Sequence, residues 1–200
     1  GFMDESIKLF AQEKSPYYSR GNHETRGEFA THFQDYFCPQ IPHLYFTVRQ
    51  GPIYFIMLDT GEDKPDSDIE YSGIVDYDGY RSQQADWLKT LANDPDYKSA
   101  KFRVVICHMP ICVNKNNWHG PQDCVEKMAP ILNGMNIDVM LSGHNHRDSF
   151  HEPDSTCQYP VLVNSNKGII SAETKENELI IRVIHKDGKE FTKKTFKAKH

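Results

Sequence analysis

Three short segments of the sequence concentrate the polar side chains that can bind a metal ion. They are residues 21–24 (Gly-Asn-His-Glu), residues 107–110 (Cys-His-Met-Pro) and residues 143–146 (Gly-His-Asn-His). The last two directly follow short apolar runs that are typical of buried strands. Because side chains at the carboxyl ends of neighbouring strands in an α/β sheet converge on one crevice, we expect one asparagine and four histidines to meet in space: Asn22, His23, His108, His144 and His146.

The chemistry of these side chains favours a transition-metal site. Neutral imidazole and amide oxygen bind Zn, Fe or Mn well, and His144 and His146, two residues apart on a loop, can face two adjacent ions. Gly21 and Gly143 allow the backbone to turn sharply, so that the side chains after them point into the crevice. Each segment by itself is also typical of an ordinary turn, so the prediction depends on all three occurring together and in this order.

The elements that would position these segments are helices mixed with buried strands, followed by a tail of strands. Hydrophobic periodicity predicts helices over residues 4–14, 26–37, 82–92 and 121–132. Strands are predicted over residues 44–49, 53–58, 102–107, 137–141, 161–164, 168–172, 179–185 and 190–196. In the second helix Phe29, Phe33 and Phe37 are spaced for a packed core, and the acidic stretch 61–79 is predicted to be a long surface loop. This order indicates an α/β fold, a two-sheet sandwich flanked by helices, in a single domain over residues 1–200.

Composition and charge exclude several classes of protein. With 38% hydrophobic, 12% aromatic and 26% charged residues, the chain has the composition of an ordinary globular protein. The net charge of -5 disfavours nucleic acid as a partner, because binding to a phosphate backbone needs a concentrated basic face. No apolar stretch approaches the ~20 residues that span a bilayer, so no membrane span is expected. Residues 1–13 do not resemble a signal peptide, and an extracytoplasmic location is expected only if such a peptide lies upstream.

The five cysteines leave two interpretations open. Cys38, Cys107, Cys112, Cys124 and Cys157 form no Cys-x-x-Cys pair and show no regular spacing. In one interpretation Cys112 and Cys124 bridge a loop in an oxidising compartment. In the other, all five cysteines are reduced and mostly buried, as free cysteines usually are.

The three polar segments resemble the last three of the five sequence blocks that define calcineurin-like metallophosphoesterases. Within that family the purple acid phosphatase-like branch is the most similar, because residues 82–88 (Ser-Gln-Gln-Ala-Asp-Trp-Leu) precede the block that contains His108. The resemblance extends over residues 18–165. It implies a phosphatase or phosphodiesterase that hydrolyses phosphate esters with two metal ions, Fe, Zn or Mn, and a hydroxide that bridges them.

The resemblance also implies a role for each polar side chain. Asn22, His108 and His144 would bind one metal ion, and His146 would bind the other. His23 would bind no metal; it would stabilise the transition state or protonate the leaving oxygen of the ester.

The sequence departs from the family at its beginning. Two blocks, Asp-x-His and Gly-Asp-x-x-Asp, normally precede residues 21–24, and nothing in residues 1–20 matches either. One ion would then keep three ligands and the other only His146, so the chain would hold one metal ion or none. Glu24 stands where the family commonly has Asp and would either orient a neighbouring histidine or lie free on the surface. Carboxylates that would compensate are Asp35, Asp59, Asp123 and Asp148, with Asp59 the best placed because it ends an apolar strand.

The leading hypothesis is therefore a metal-dependent phosphoric-ester hydrolase, truncated at its N-terminus, with an incomplete dinuclear site. The alternative is a degenerate phosphoesterase fold that acts as a non-catalytic protein-binding module, and a third hypothesis is a mononuclear metal-binding protein. Retention of all five polar side chains argues for the hydrolase, because a scaffold has no chemical need of them. The missing segment would leave the edge and face of a sheet exposed, so we also expect a homo-oligomer.

Overall fold

The chain folds into two β-sheets, with helices packed on the outer face of the larger one. The computed structural model describes residues 2–14, 16–37, 42–113 and 118–199. Within these residues the strands are β1 Phe46–Gln50, β2 Ile53–Met57, β3 Phe102–Cys107, β4 Val139–Ser142, β5 Ser149–His151, β6 Val161–Val163, β7 Gly168–Lys175, β8 Glu178–His185 and β9 Glu190–Lys197. The larger sheet has the order β1-β2-β3-β4-β6-β5, and the smaller sheet has the order β7-β8-β9.

The described residues form five α-helices, two of which begin at a capping aspartate. They are α1 Phe2–Ser6, α2 Phe33–Phe37, α3 Tyr77–Thr90, α4 Pro95–Ser99 and α5 His119–Asn133, and α1 continues as a π-helical stretch over Ile7–Ala11. The carboxylate of Asp76 caps α3 by accepting a hydrogen bond from the Gly79 N–H. Asp94 caps α4 in the same way, and Pro95 occupies the first turn of that helix, where no N–H is needed.

The strand β3 shows why the larger sheet is buried on both faces. Successive side chains of a strand point to opposite faces, and nearly every residue of β3 is apolar. Phe102 and Val104 pack with the smaller sheet, whereas Val105 and Cys107 pack with the helices. The same alternation in Leu179, Ile181 and Val183 of β8 covers the first of these faces. The predicted α/β sandwich of two sheets flanked by helices is therefore confirmed, while the single domain over residues 1–200 stays a prediction.

The strands β2, β3, β4 and β6 run parallel, so their carboxyl ends lie along one edge of the sheet. Cys107 of β3 is in register with Ser142 of β4. His108 and Gly143 follow these two residues directly, and the Gly143 N–H donates a hydrogen bond of 3.1 Å to the His108 carbonyl. The second and third polar segments are thus joined at the same edge.

Several local predictions differ from the structure. The segment predicted to be helical from residue 26 is helical only at its end, in a 3-10 turn over Ala30–His32 and in α2, because Gly27 takes a left-handed φ of 87° and breaks the helical path. Phe29 is 74% exposed, so its predicted core position is wrong. Phe33 and Phe37 are half-buried, and their rings pack against Tyr18. The short elements α4 and β5 were not predicted from the sequence.

The cysteine pairing also differs from both interpretations of the sequence. The structure joins Cys112 to Cys157, across a sequence separation of 45 residues. Cys107 and Cys124 are free and buried, and Cys38 lies outside the described residues. The predicted pairing of Cys112 with Cys124 is wrong because the fold brings the loop after β3 against the segment that leads into β6.

Candidate metal centre

A pocket of about 300 Å³ opens at the carboxyl edge of the larger sheet. Its lining includes the five side chains singled out in the sequence: Asn22, His23, His108, His144 and His146. They come from three segments that are far apart along the chain, and the parallel strands bring two of these segments to the same edge. The spatial convergence on which the metal prediction depends is present in the structure.

In this pocket His108 Nε2 lies, from two other donor atoms, at the distances expected between ligands of one ion. Asn22 Oδ1 lies 3.0 Å from His108 Nε2, which lies 3.3 Å from His144 Nδ1. Two donors that bind a shared ion at about 2.1 Å and subtend about 90–109° are separated by about 3.0–3.4 Å. The amide oxygen and the two imidazole nitrogens therefore fit a transition-metal ion in both chemistry and spacing.

Asn22 is held in place from two sides. The side chain of Asn22 is buried, and its main-chain carbonyl accepts a hydrogen bond of 2.6 Å from the Thr25 hydroxyl. On the N-terminal side, Arg20 forms an ion pair of 2.7 Å with Asp59, which follows β2. The Ser19 hydroxyl donates to the Leu58 carbonyl at 3.1 Å. These contacts attach the first polar segment to the end of β2 although the segment belongs to no strand.

Gly21 is required because two side chains approach its Cα closely. A Cβ atom at this position would lie 2.6 Å from Glu24 Oε2 and 3.0 Å from His108 Nδ1. The Glu24 carboxylate accepts a hydrogen bond of 3.0 Å from the Gly21 N–H. Glu24 therefore stabilises the turn that presents Asn22, a role that differs from both of those considered from the sequence.

The loop that carries His144 and His146 has an unusual backbone. Both residues have a left-handed φ, 65° for His144 and 52° for His146, which is uncommon for a residue other than glycine. Backbone of this kind occurs preferentially at functional sites, where surrounding contacts hold it. The expected sharp turn at Gly143 is thus followed by strained residues that aim both imidazoles toward the pocket.

The electrostatic environment keeps the central histidines neutral. Burial, reinforced by the nearby rings of His144, His23 and His146, lowers the pKa of His108 to about 4. Burial also lowers the pKa of His144, although Asp63 opposes this shift. Neutral imidazoles have a free lone pair, so both rings are in the protonation state that binds metal near pH 7.

Comparison with known proteins identifies the family. A family model described as calcineurin-like phosphoesterase matches residues 2–148, well over half of the chain. The chain belongs to the calcineurin-like phosphoesterase family. Purple acid phosphatase 18 of Arabidopsis thaliana is 24% identical to it over 146 residues, which are 72% of this chain and 26% of that protein. The chain therefore spans about a quarter of the length of that relative.

A solved structure supports the fold of this family member. A dimetal phosphatase from Danio rerio superimposes with a TM-score of 0.52 at 11% identity, covering 78% of this chain and 60% of the other. At this identity the likeness concerns the fold. The family predicted from the three segments is therefore confirmed by the match to the family model.

The carboxylate that the sequence favoured as a compensating ligand, Asp59, does not line the pocket. Asp59 is completely buried, pairs with Arg20, and accepts hydrogen bonds from the Tyr80 hydroxyl at 3.2 Å and the Gly61 N–H at 3.1 Å. Its oxygens are therefore committed to neighbouring groups. Two carboxylates do line the pocket, those of Glu70 and Asp63. Burial and the adjacent Glu62 carboxylate raise the pKa of Asp63. The sequence signal that could have identified Asp63 is the acidic pair Glu62-Asp63, which comes soon after the end of β2.

The three other proposed carboxylates lie elsewhere. Asp35 pairs with His32 on the exposed surface at 2.9 Å. Asp148 accepts hydrogen bonds from Ser165 and His185. Asp123, the third of them, belongs to a separate cluster on the helices.

That cluster contains the carboxylates of Asp78 and Asp123 and the imidazole of His119, all within 4.8 Å of one another. Arg81 and Lys127 already occupy it: Arg81 Nη1 lies 2.9 Å from Asp78, and Lys127 Nζ lies 2.7 Å from Asp123. Because these two cations neutralise both carboxylates, the cluster is an ion-pair network. It fastens the start of α5 to α3.

Further side chains of the metal pocket were not identified from the sequence. They are Arg26, Lys64 and Glu70. Trp118 also lines the pocket. Arg26 is fixed by a two-pronged contact with Glu62, with Nε–Oε1 at 2.5 Å and Nη2–Oε2 at 2.7 Å. Lys64 forms an ion pair with Glu70.

Proposed function

We propose that this chain carries part of the active site of a metal-dependent phosphoric-ester hydrolase. The observation that supports this most directly is that His108 Nε2 lies 3.0 Å from Asn22 Oδ1 and 3.3 Å from His144 Nδ1 in one pocket. These are neutral donors in a neutral, partly buried environment, which suits Zn, Fe or Mn. A phosphate ester is the proposed substrate.

The pocket offers donors for more than one ion. Asn22, His108 and His144 would hold the first ion, and His146, on the same loop as His144, would hold the second. Of the two carboxylates in the pocket, Glu70 pairs with Lys64, and Asp63 would supply the oxygen donor that the sequence alone did not identify. The family's two-ion arrangement is therefore proposed in an incomplete form, with the first ion bound more tightly than the second.

The proposed reaction is hydrolysis at phosphorus. Metal ions bound here would lower the pKa of a water molecule and neutralise charge on the phosphoryl group. Water oxygen forms the new bond to phosphorus, the ester P–O bond breaks, and a proton passes to the leaving alkoxide. His23 is exposed and lines the pocket, so it is placed to hold that proton or to contact the phosphoryl oxygens.

Exposed apolar side chains favour the alternative of a protein-binding module. Leu9 and Phe29 are 76% and 74% exposed, and Ile69 is 90% exposed. Large exposed apolar residues are common at protein interfaces when they are grouped. A scaffold of this kind would bind a protein partner without hydrolysing an ester.

We also propose that the chain self-associates along β7. This strand forms one edge of the smaller sheet, and Ile169 on it is 66% exposed. Open strand edges with apolar side chains pair readily with another chain. Light scattering should show an oligomer that the charged variant Ile169→Lys reduces to a monomer; equal masses would contradict the proposal.

Within the described residues, none of the helices has the length and apolar character of a membrane span.

Metal binding separates the hydrolase from the scaffold. We expect the chain to bind Zn or Mn in calorimetry, and His108→Ala to weaken this binding by about 100-fold or more, because it removes the central donor. The matched control is His32→Ala, an exposed histidine that does not line the pocket.

Hydrolysis of an aryl phosphate by the metal-loaded chain completes the test. We expect His23→Ala to lower the hydrolysis rate while leaving metal affinity within about twofold, since this ring is proposed to act on the substrate. Metal affinity that is the same in His108→Ala and in the wild type would refute the proposed site. Metal binding without any hydrolysis would favour the mononuclear metal-binding protein.

A further inference from the structure

A second, larger cavity adjoins the metal pocket. It has a volume of about 620 Å³ and shares Arg26 and Glu70 with the metal pocket. Residues 25–31, which follow the first polar segment, form one wall, and residues 70–77 form much of the other. The stretch that was predicted to be a plain surface loop is therefore a wall of a binding-sized space.

The volume suits an organic molecule rather than a phosphate alone. Ligand cavities in proteins commonly measure about 300–1,000 Å³. A phosphoryl group bound at the histidines would leave this cavity free for whatever the phosphate is attached to. Because the two spaces share side chains, an ester with its phosphate at the histidines can extend its alcohol portion into the larger cavity.

Aromatic side chains dominate the chemistry of this space. Tyr71, Tyr77 and Tyr80 line it together with the apolar Ile74 and Val75. The rings of Tyr71 and Tyr77 meet edge to face, with centroids 6.2 Å apart and planes at 70°. Such rings favour a further planar ring in an offset or edge-on contact.

The two arginines of the cavity are already neutralised. Arg20 pairs with Asp59 at 2.7 Å, and Arg26 pairs with Glu62 at 2.5 Å. Neither guanidinium carries an uncompensated charge, so the cavity does not favour a second anionic group. A neutral alcohol portion fits it better.

One buried donor in the cavity wall lacks a partner. Arg20 lines the cavity, its side chain is 12% exposed, and its Nε–H makes no hydrogen bond within the described residues. A buried N–H without an acceptor is unfavourable, so such groups usually meet water or a ligand. A ligand with an acceptor atom beside its ring would satisfy this donor.

We propose that this cavity binds the alcohol portion of the ester and that it selects alcohols that carry a neutral aromatic ring, either an aryl group or a nucleobase. The proposal rests on the proposed function, because it assigns the phosphate to the histidine pocket. Arg26, held by Glu62, lines both spaces. It would therefore lie beside the part of the ester that joins the phosphate to the ring.

Ligand binding measured by saturation-transfer NMR tests this proposal without requiring catalysis. Adenosine and phenol, which lack phosphate, test the cavity alone in the presence of a metal chelator. Adenosine 5′-monophosphate, phenyl phosphate and ribose 5-phosphate test both spaces with metal present. We expect the two aromatic esters to bind about tenfold more tightly than ribose 5-phosphate, since one aromatic contact contributes about this much. A stronger signal from adenosine or from phenol decides between the two sources of the ring.

Three variants locate the binding. Tyr77→Leu removes a ring of the cavity and should weaken the binding of the aromatic ligands by about tenfold without changing that of ribose 5-phosphate. Val75→Trp should fill the cavity and abolish binding of adenosine and phenol. The control Tyr17→Leu makes the same exchange at a tyrosine that is 53% exposed and does not line the cavity. Circular dichroism verifies that each variant is folded.

The outcomes distinguish this proposal from the proposed function. Equal binding of aromatic and non-aromatic esters, or the same loss in Tyr17→Leu as in Tyr77→Leu, would overturn the aromatic cavity while leaving the metal site intact. If adenosine or phenol binds but no metal does, the proposed hydrolase fails, and with it the role of the cavity as the site of the alcohol portion.

Discussion

The disulfide between Cys112 and Cys157 should contribute a large part of the stability of this chain. Closing a loop restricts the unfolded state, and the chain-entropy relation for a separation of 45 residues gives about 4 kcal/mol at 25 °C. Single domains are stable by only about 5–15 kcal/mol. We therefore expect reduction of this one bond to remove a substantial fraction of the free energy of unfolding.

The structure indicates which part of the chain the loss of this disulfide should destabilise first. Cys112 follows the metal-pocket residue His108 by four positions, and Cys157 lies just before β6. Both cysteines pack at the helical face of the larger sheet, where Cys157 Sγ lies 3.3 Å from the Tyr159 hydroxyl. Reduction should loosen the loop that follows His108 before it unfolds the sheet, which hydrogen exchange of residues 109–113 would detect.

Urea unfolding of the oxidised and reduced protein measures the magnitude. With a urea dependence of about 2–3 kcal/mol/M, a loss of about 4 kcal/mol lowers the unfolding midpoint by roughly 1.3–2 M. The double variant Cys112→Ala/Cys157→Ala is the control and should unfold at one midpoint whether or not reductant is present. Cys107 and Cys124 are already reduced, so they add nothing to the difference.

Two results would refute this reasoning. One is a difference of less than about 1 kcal/mol between the oxidised and reduced protein, since the chain-entropy relation gives about four times as much for this separation. The other is a response of the double variant to reductant, which would show that a different pair of cysteines is oxidised.

Three further changes test the contacts that build the site. Asp59→Asn leaves a buried arginine without its charge partner and should lower the free energy of unfolding by about 3–5 kcal/mol, measured by urea titration; a change below about 1 kcal/mol would contradict the buried pair. Burial opposes ionisation of Glu62, but hydrogen bonds from neighbouring arginine and threonine side chains lower its pKa from 4.5 to about 2. The stabilisation from the Glu62 carboxylate is therefore complete above pH 4.5 and is lost as the pH falls toward 2. This loss lowers the free energy of unfolding by on the order of 2–3 kcal/mol. In acid titrations the variant Glu62→Gln should not show this decrease. Gly21→Ala places a methyl group against the ring of His108 and should weaken metal binding in calorimetry by about tenfold, whereas Gly134→Ala, whose nearest neighbour would be 3.4 Å away, should leave it unchanged.

Much of the site could be predicted from the sequence because two of its three segments directly follow strands. The apolar runs at residues 102–107 and 137–141 predicted two buried strands, and the structure has them as β3 and β4 with parallel pairing. His108 and His144 then had to lie at one edge of the sheet, since parallel strands end on the same side. The first polar segment follows no strand, and its place beside them depends on Arg20 and Asp59, which only the folded chain brings together.

Helical periodicity was a weaker guide near the N-terminus. The aromatic spacing of Phe29, Phe33 and Phe37 predicted one helix with a buried side, but the left-handed backbone at Gly27 confines the helix to its last residues. Phe29 is exposed as a result. Periodicity records which residues would share a helical face and carries no information on whether the backbone maintains the helix.

The sequence by itself predicted every described strand except β5, the candidate donors Asn22, His108, His144 and His146, and the family, because those depend on residues close together in the chain. Only the tertiary structure decided that Asp63 rather than Asp59 lines the metal pocket, that Cys112 pairs with Cys157, and that the stretch 61–79 helps to enclose a cavity. Each of these depends on contacts between segments far apart in sequence, and the direction in which a loop carboxylate or thiol points is set by the partner that the fold places beside it.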